Sequence, residues 1–112
     1  MHGDSRGWRA SGTGSQVIRL VFDEPIEISR IKVVFEEYEA PRTQEFLLGW
    51  TSANGTSGEI VRQQWNFSPP TTTREAEHFD VQLSVVSMIE LTINPDIRGG
   101  AAQASLSRLR VA

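Results

Sequence analysis

The side chains best suited to catalysis in this 112-residue chain are acids on its polar connections. A glycosidase needs two carboxyl groups at a defined separation and with different pKa values. Candidate acids are Glu36, Glu37, Glu39, Glu75, Glu77 and Asp96, but nothing in their spacing sets that geometry. The chain has no cysteine nucleophile, no Gly-x-Ser-x-Gly turn and no phosphate-cradling glycine loop. We therefore predict a binding protein and no enzyme.

Other polar and aromatic residues are of the types that recognise sugars. A flat aromatic ring packs against the C–H surface of a pyranose, while Arg, Asn and Glu bind its hydroxyls. The candidate ligand-binding residues are Glu36, Tyr38, Arg42, Trp65, Asn66 and Arg98. Large aromatic residues are mostly buried, so Trp8 and Trp65 are also suited to closing the core. Arg42 and Arg98 are equally typical of solvated surface charges, and Glu36 of an ion pair with one of them.

Short apolar runs separated by turn residues predict the elements that carry these side chains. β-Branched and aromatic residues favour strands, and proline cannot donate to a ladder, so Asp23-Glu24-Pro25 is predicted to be a tight turn. A bulge near Ser29 and Arg30 is needed to keep the apolar residues on both sides of it on one face. The predicted strands are residues 17–22, 26–35, 44–52, 59–67, 79–85, 88–93 and 104–111.

No segment keeps an apolar stripe of helical period, so the fold class is predicted to be all-β, in one domain over residues 1–112. Residues 1–7 are expected to be a frayed lead-in. If consecutive strands alternate in direction, the long connections share one end of the molecule. These are the lead-in and residues 37–43, 68–75 and 96–103; the turns at residues 23–25, 54–55 and 86–87 lie at the other end. Function tends to concentrate on such loops, so the site is expected among them.

Charge and composition exclude several classes of partner. A net charge of −3 and a pI near 5.3 argue against a general nucleic-acid-binding protein and against a protein that binds acidic membrane surfaces. No apolar run approaches the roughly 20 residues that span a bilayer. We therefore expect a soluble chain without a membrane span. Two histidines, His2 and His78, do not form a metal cluster. Localisation stays open between the bacterial cytoplasm and a larger secreted protein.

Several segments together resemble discoidin-like (coagulation factor type C) domains, which are galactose-binding-like jelly rolls. They are Trp8-Arg9-Ala10-Ser11, the Ile18-x-Leu20-x-Phe22 strand with Asp-Glu-Pro, residues 28–33, and residues 104–109. The resemblance covers most of the chain, but its motifs are mainly structural. It implies a jelly-roll β-sandwich with roughly seven to eight strands. It also implies a binding module, most often for carbohydrate, with the site in loops at one end.

The chain departs from that family in two ways. It has too little sequence before Trp8 for an extra leading strand, so the first sheet is expected to be trimmed or completed by another chain. Many members bind a structural calcium through an acid that would align with Arg108 here, and a cation opposes calcium. We therefore predict no calcium, no other cofactor and no metal. The alternative function is a protein interaction or assembly module without a sugar ligand, with homo-oligomerisation open, because exposed strand edges pair with partners.

Overall fold

A computed structural model describes residues 3–112, with side chains from Arg9 onward. It confirms the all-β class. Six strands form one antiparallel sheet in the order β1-β6-β2-β5-β3-β4, and no helix occurs in this range. The strands are β1 Gly3–Arg9, β2 Gln16–Glu36, β3 Arg42–Ser52, β4 Ser57–Phe67, β5 Arg74–Asn94 and β6 Ser105–Val111. A helix able to cross a membrane is accordingly not found among these residues.

Two predicted turns are wrong, because β2 and β5 each run through 21 residues. Val21 pairs with Met88 and Ile26 with Val86, so residues 22–25 of β2 oppose residue 87 alone. Pro25 therefore sits where the ladder is interrupted and no donor is required of it. The predicted turn at residues 86–87 is replaced by a bend at Val85, which has a positive φ of 49°. Both strands bend where a reversal was expected.

The predicted bulge is confirmed. Ile28 pairs with Leu83 and Arg30 with Asp80, so the register shifts between these pairs. On the β6 side, Ser29 N–H and Arg30 N–H both donate to Ala112 O, at 2.8 and 3.0 Å, which is the hydrogen-bond pattern of a bulge, and Ile28 and Ile31 are both buried despite their opposite parity. The bends fold the sheet back on itself: the rings of Phe35 on β2 and Phe46 on β3 lie 5.2 Å apart between centroids.

The core lies between the two folded halves of the sheet. On β3, every second residue from Arg42 to Leu48 is buried, as strand geometry requires for a one-sided face. The apolar members of that face pack with residues of β2, β4, β5 and β6. The largest fully buried apolar side chains are Phe35, Phe46, Phe67, Ile28, Ile31, Leu48, Ile89, Leu91, Ile93, Leu106 and Leu109. Each contributes roughly 1.5–3 kcal/mol by leaving water.

The long connections meet at one end of the molecule, as the sequence predicted. Backbone hydrogen bonds join Gly14 N–H to Ala102 O (3.4 Å), Ile97 N–H to Thr43 O (2.8 Å), and Glu37 N–H to Thr73 O (2.8 Å). At the other end, Ala53 N–H donates to Val85 O at 2.8 Å, next to the Asn54-Gly55 hairpin. The long loops therefore share one end of the molecule even though β2 and β5 bend, and do not reverse, at the two predicted turns.

The start of the chain differs from the expected frayed lead-in. Gly3–Arg9 pairs with β6, from Gly3 opposite Val111 to Arg9 opposite Ser105. The expectation of too little sequence for a leading strand was wrong, because β6 offers a ladder edge that backbone groups of any sequence can pair with. The predicted packing of Trp8 against the core concerns a side chain outside the described part of the chain.

Candidate functional site

The connections after β2 and β5 enclose a pocket of about 380 Å³ at the loop end. Its hydrogen-bonding side chains are those of Arg9, Glu37, Glu39, Arg42, Asp96 and Gln103. The opposite wall is the small-residue segment 99–102. Gly99 and Gly100 have positive φ values of 84° and 101°, which favour glycine there. The result is a concave, polar space formed by two loops on a rigid sheet.

Arg42 forms the base of this pocket and joins its two walls. Its Nε donates to Glu37 Oε1 at 2.7 Å, and its Nη1 donates to Gln44 Oε1 at 2.9 Å and to Pro95 O at 2.8 Å. The guanidinium also lies 4.9 Å from the centroid of the Phe67 ring. Arg42 therefore fixes the loop after β5 against the loop after β2.

Arg42 is only 3% exposed, which corrects the expectation of a solvated surface charge. The physical reason is strand parity, because Arg42 continues the inward face of Phe46 and Leu48. Its Nη2 is buried without a hydrogen-bond partner. A buried guanidinium destabilises the folded protein unless a negative charge is close to it. Glu37 supplies that charge to Arg42.

Two carboxylates of the pocket are held in the ionised form. Burial raises the pKa of Glu37, but hydrogen bonds from Glu39 N–H (3.0 Å) and from Arg42 outweigh it and lower the pKa overall. The Arg98 N–H, 3.1 Å from Asp96 Oδ1, lowers the pKa of Asp96. Both groups are thus fixed anionic acceptors at neutral pH.

Tyr38 and Glu36 form a pair of their own. Tyr38 is 64% exposed, and its hydroxyl donates to Glu36 Oε2. This bond lowers the pKa of Glu36 and raises that of Tyr38. Tyr38 is not among the side chains that line the pocket, although its neighbours Glu37 and Glu39 are. The exposed ring therefore lies in the same loop as the pocket but does not form its wall.

The remaining predicted residues do not line the pocket. Arg98 is exposed and its Nε contacts Asp96 Oδ1 at 3.3 Å. Asn66 Oδ1 accepts a hydrogen bond from Thr43 Oγ1 at 2.6 Å on the exposed face of β4. Trp65 is half-buried against the core, which agrees with the core-closing interpretation. Of the six predicted residues, only Arg42 lines the pocket, so the structure does not bring the predicted set together.

A second polar cluster joins β4 to β5; the sequence singled out its two acids, Glu75 and Glu77, but not Gln63 between them. Gln63 Nε2 donates to Glu75 Oε2 at 3.1 Å and to Glu77 Oε1 at 2.7 Å. Burial, and next the charge of Glu77, raise the pKa of Glu75 to about 7. Glu75 was expected in a loop but lies on β5 and is 1% exposed. A substrate cannot reach it, so the paired acids do not form an open catalytic site.

Strand parity was the signal that could have found these buried polar residues. Glu75 and Glu77 share the inward face of Phe79, and Gln44 shares that of Phe46. The pocket acids Glu37, Glu39 and Asp96 were noted only as candidate catalytic groups. Their grouping depends on two loops that are distant in sequence, so spacing alone could not reveal it.

No family model, curated protein or solved structure matches this chain. Among the side chains from residue 9 to residue 112, no group of three or more His, Asp or Glu is placed to hold a metal ion. The functional inference therefore depends on the chemistry of the pocket itself.

Proposed function

We propose that this chain is a non-catalytic binding module that takes a neutral carbohydrate into the loop-end pocket. The observation that carries the proposal is the pocket of about 380 Å³ lined by fixed carboxylates at the end where the long loops meet. This volume falls within the range of about 300–1,000 Å³ that is typical of small-molecule sites. A jelly-roll fold of the discoidin-like type, which the sequence resembles, is part of the same proposal.

The hydrogen-bonding groups suit vicinal hydroxyls. Ionised Glu37 and Asp96 accept hydrogen bonds, and each carboxylate oxygen has two lone pairs, so their existing bonds leave capacity for a ligand. The Gln103 side chain adds both a donor and an acceptor. Charge-assisted bonds of this kind are roughly twice as strong as neutral ones.

The charge balance of the pocket favours a neutral ligand over an acidic one. Glu37, Glu39 and Asp96 carry three negative charges, and Arg9, Arg42 and Arg98, which pairs with Asp96 at 3.3 Å, carry three positive charges, so the net charge at the site is about zero. The guanidinium of Arg42 is already neutralised by Glu37. A plain hexose needs no counter-charge in such a balanced site, whereas a uronic acid or a phosphorylated sugar would add a negative charge beside Glu37, Glu39 and Asp96.

The pocket is pre-organised, which limits the entropy lost on binding. The loop after β5 is held to Arg42 through Pro95 O and to Thr43 O through Ile97 N–H. Fixing a loop before the ligand arrives improves affinity by reducing the ordering that binding requires. Tyr38, exposed in the loop that forms one wall, supplies the aromatic face for a ligand larger than one sugar ring.

The test is calorimetric titration of the protein with a panel of neutral and acidic glycans. We expect a neutral glycan to bind at millimolar concentration or below, and Glu39→Gln and Tyr38→Ala to weaken it by roughly fivefold or more. Glu59→Gln is the matched control, because Glu59 is exposed on β4 and does not line this pocket. Failure of every glycan to bind at millimolar levels would refute the proposal.

A protein interaction module is the second candidate, and the first part of β2 favours it. Residues 16–21 have register partners on β5 but none on another described strand, so one edge is open. Val17 and Val21 on this segment are 43% and 71% exposed. Exposed apolar edge strands are typical sites of strand pairing. Light scattering should then show an oligomer that Val21→Lys disperses; a monomer at all concentrations would exclude self-assembly.

A further inference from the structure

Basic side chains form a row across three neighbouring strands, away from the loop-end pocket. Lys32 on β2 is the register partner of Arg110 on β6 and of His78 on β5. Arg30 lies two residues before Lys32 and therefore on the same face. All four side chains are exposed, whereas Ile31 between them is fully buried. The row thus lies on the outer face of the sheet.

The register places like charges side by side. Directly opposite residues of an antiparallel pair have Cβ atoms about 4.5–5.5 Å apart, and like charges there destabilise the sheet. Among the side chains from residue 9 onward, no acid forms an ion pair with Arg30, Lys32 or Arg110. Lys32 and Arg110 therefore lie directly opposite each other in the register, and an external anion would reduce the repulsion between their charges.

The acids near this row are too few to neutralise it. Asp80 contacts His78, with Oδ1 and Nε2 3.4 Å apart, and its side chain is 86% exposed. Counting Asp80 and Asp4, the register partner of Arg110 on β1, against Arg30, Lys32 and Arg110 leaves the cluster at +1 with His78 neutral. The whole chain has a net charge of −3, so positive charge is concentrated here against the overall balance.

The row also lines a depression rather than a flat strand face. Arg30, Lys32, His78, Arg110 and Ala112 enclose about 260 Å³. Two guanidinium groups, an ammonium group and an imidazole present many N–H donors and, when His78 is charged, no acceptor. Guanidinium forks match the oxygens of tetrahedral oxyanions, which makes Arg the usual residue for their recognition.

We propose that Arg30, Lys32, His78 and Arg110 form a binding site for a phosphate or sulfate monoester group. The group inserts its oxygens among the donors of the three strands and relieves the repulsion between Lys32 and Arg110. This site is independent of the neutral-sugar pocket: its residues lie on the outer face of β2, β5 and β6, and none of them lines the loop end. A nucleic acid is not implied, because the positive patch is small and the chain is acidic.

The experiment is a two-dimensional amide NMR titration with methyl phosphate and with methyl sulfate, each against sodium chloride at matched ionic strength. Saturable shifts confined to residues 29–33, 77–80 and 108–112 are expected with at least one of the esters. The ester that binds more tightly identifies the natural source of the oxyanion. The double variant Lys32→Gln, Arg110→Gln should weaken binding by roughly tenfold, which corresponds to about 1.4 kcal/mol.

Two controls keep the result specific. Arg19→Gln removes an exposed arginine that already pairs with Glu90 at 2.8 Å, and it should leave the titration unchanged. Asp4→Asn removes the acid opposite Arg110 in the β1 register, and binding should be unchanged or tighter. Shifts that chloride reproduces, equal binding by the double variant, or weaker binding by Asp4→Asn would each overturn the proposal. Melting curves of the variants establish that they are folded, since all four positions are exposed or at an edge.

Discussion

Replacing Glu75 with glutamine should make the protein more stable at alkaline pH. Glu75 is 1% exposed and lies beside Glu77, with Gln63 Nε2 bridging the two carboxyl groups. Burial and the charge of Glu77 raise the pKa of Glu75 to about 7. Glu75→Gln removes the ionisation while keeping the shape of the side chain and a carbonyl oxygen that accepts from Gln63.

The sign and size follow from linkage between protonation and folding. Below about pH 4, Glu75 is protonated in both states; as pH rises from about 4.3 to 7, only the unfolded state ionises, so the free energy of unfolding falls. Above pH 7 the loss is complete and constant. One pKa unit corresponds to about 1.4 kcal/mol and the pKa rises from about 4.3 to about 7, so the wild-type protein loses roughly 3–4 kcal/mol that Glu75→Gln retains.

Urea unfolding at about pH 3.5 and about pH 8.5 measures this difference on the two sides of the transition. The variant and the wild type should have similar stability in acid, and the variant should be more stable in alkali by the stated amount. Glu24→Gln, an exposed acid in the bend of β2, is the matched control and should show no such pH dependence. Equal stability of Glu75→Gln and wild type at both pH values would refute the argument.

Three further substitutions test other parts of the structure. Arg42→Met should lower the free energy of unfolding by roughly 3 kcal/mol, because Glu37 is left buried without its partner; a urea-measured loss near zero would contradict the pairing. Val85→Asn should raise the free energy of unfolding by up to about 1 kcal/mol, since Asn tolerates a positive φ and Val does not. A lower free energy of unfolding in the same assay would contradict the backbone strain at Val85. Gly58→Ala would place Cβ 3.0 Å from Trp50 Nε1, so the Trp50 indole N–H resonance should move; an unchanged resonance would contradict the contact.

The parts of the fold set by local pattern were predictable from the sequence. The alternation of β3, the Asn54-Gly55 hairpin and the bulge before Ile31 all follow from side-chain period and turn chemistry. The direction of the chain at Pro25 was not predictable, because a proline interrupts a ladder equally well in a reversal and in a bend. Which of these occurs depends on β5, a partner about 60 residues away, and that choice is non-local.

The same distinction holds for the site. The sequence placed the long loops at one end, and this end does contain the pocket. The sequence did not show that Arg42 is buried while Arg98 is exposed, because both residues are typical of surface charges. Arg42 is recognised as inward-facing only when the alternation of buried residues in β3 is continued back from Phe46 to Arg42. Nor could the sequence show that Tyr38 bonds to Glu36 instead of lining the pocket, since this depends on side-chain packing within a loop.

The most direct test of the central claim is to locate a bound sugar on the protein. Amide NMR shifts should be recorded during titration with the neutral glycan that binds most tightly in the panel. The account predicts saturable shifts clustered in residues 37–42 and 95–103, which surround the pocket. Saturable shifts confined to the sheet faces or to the bend around residues 23–29 would contradict it, as would the absence of any shift at millimolar glycan.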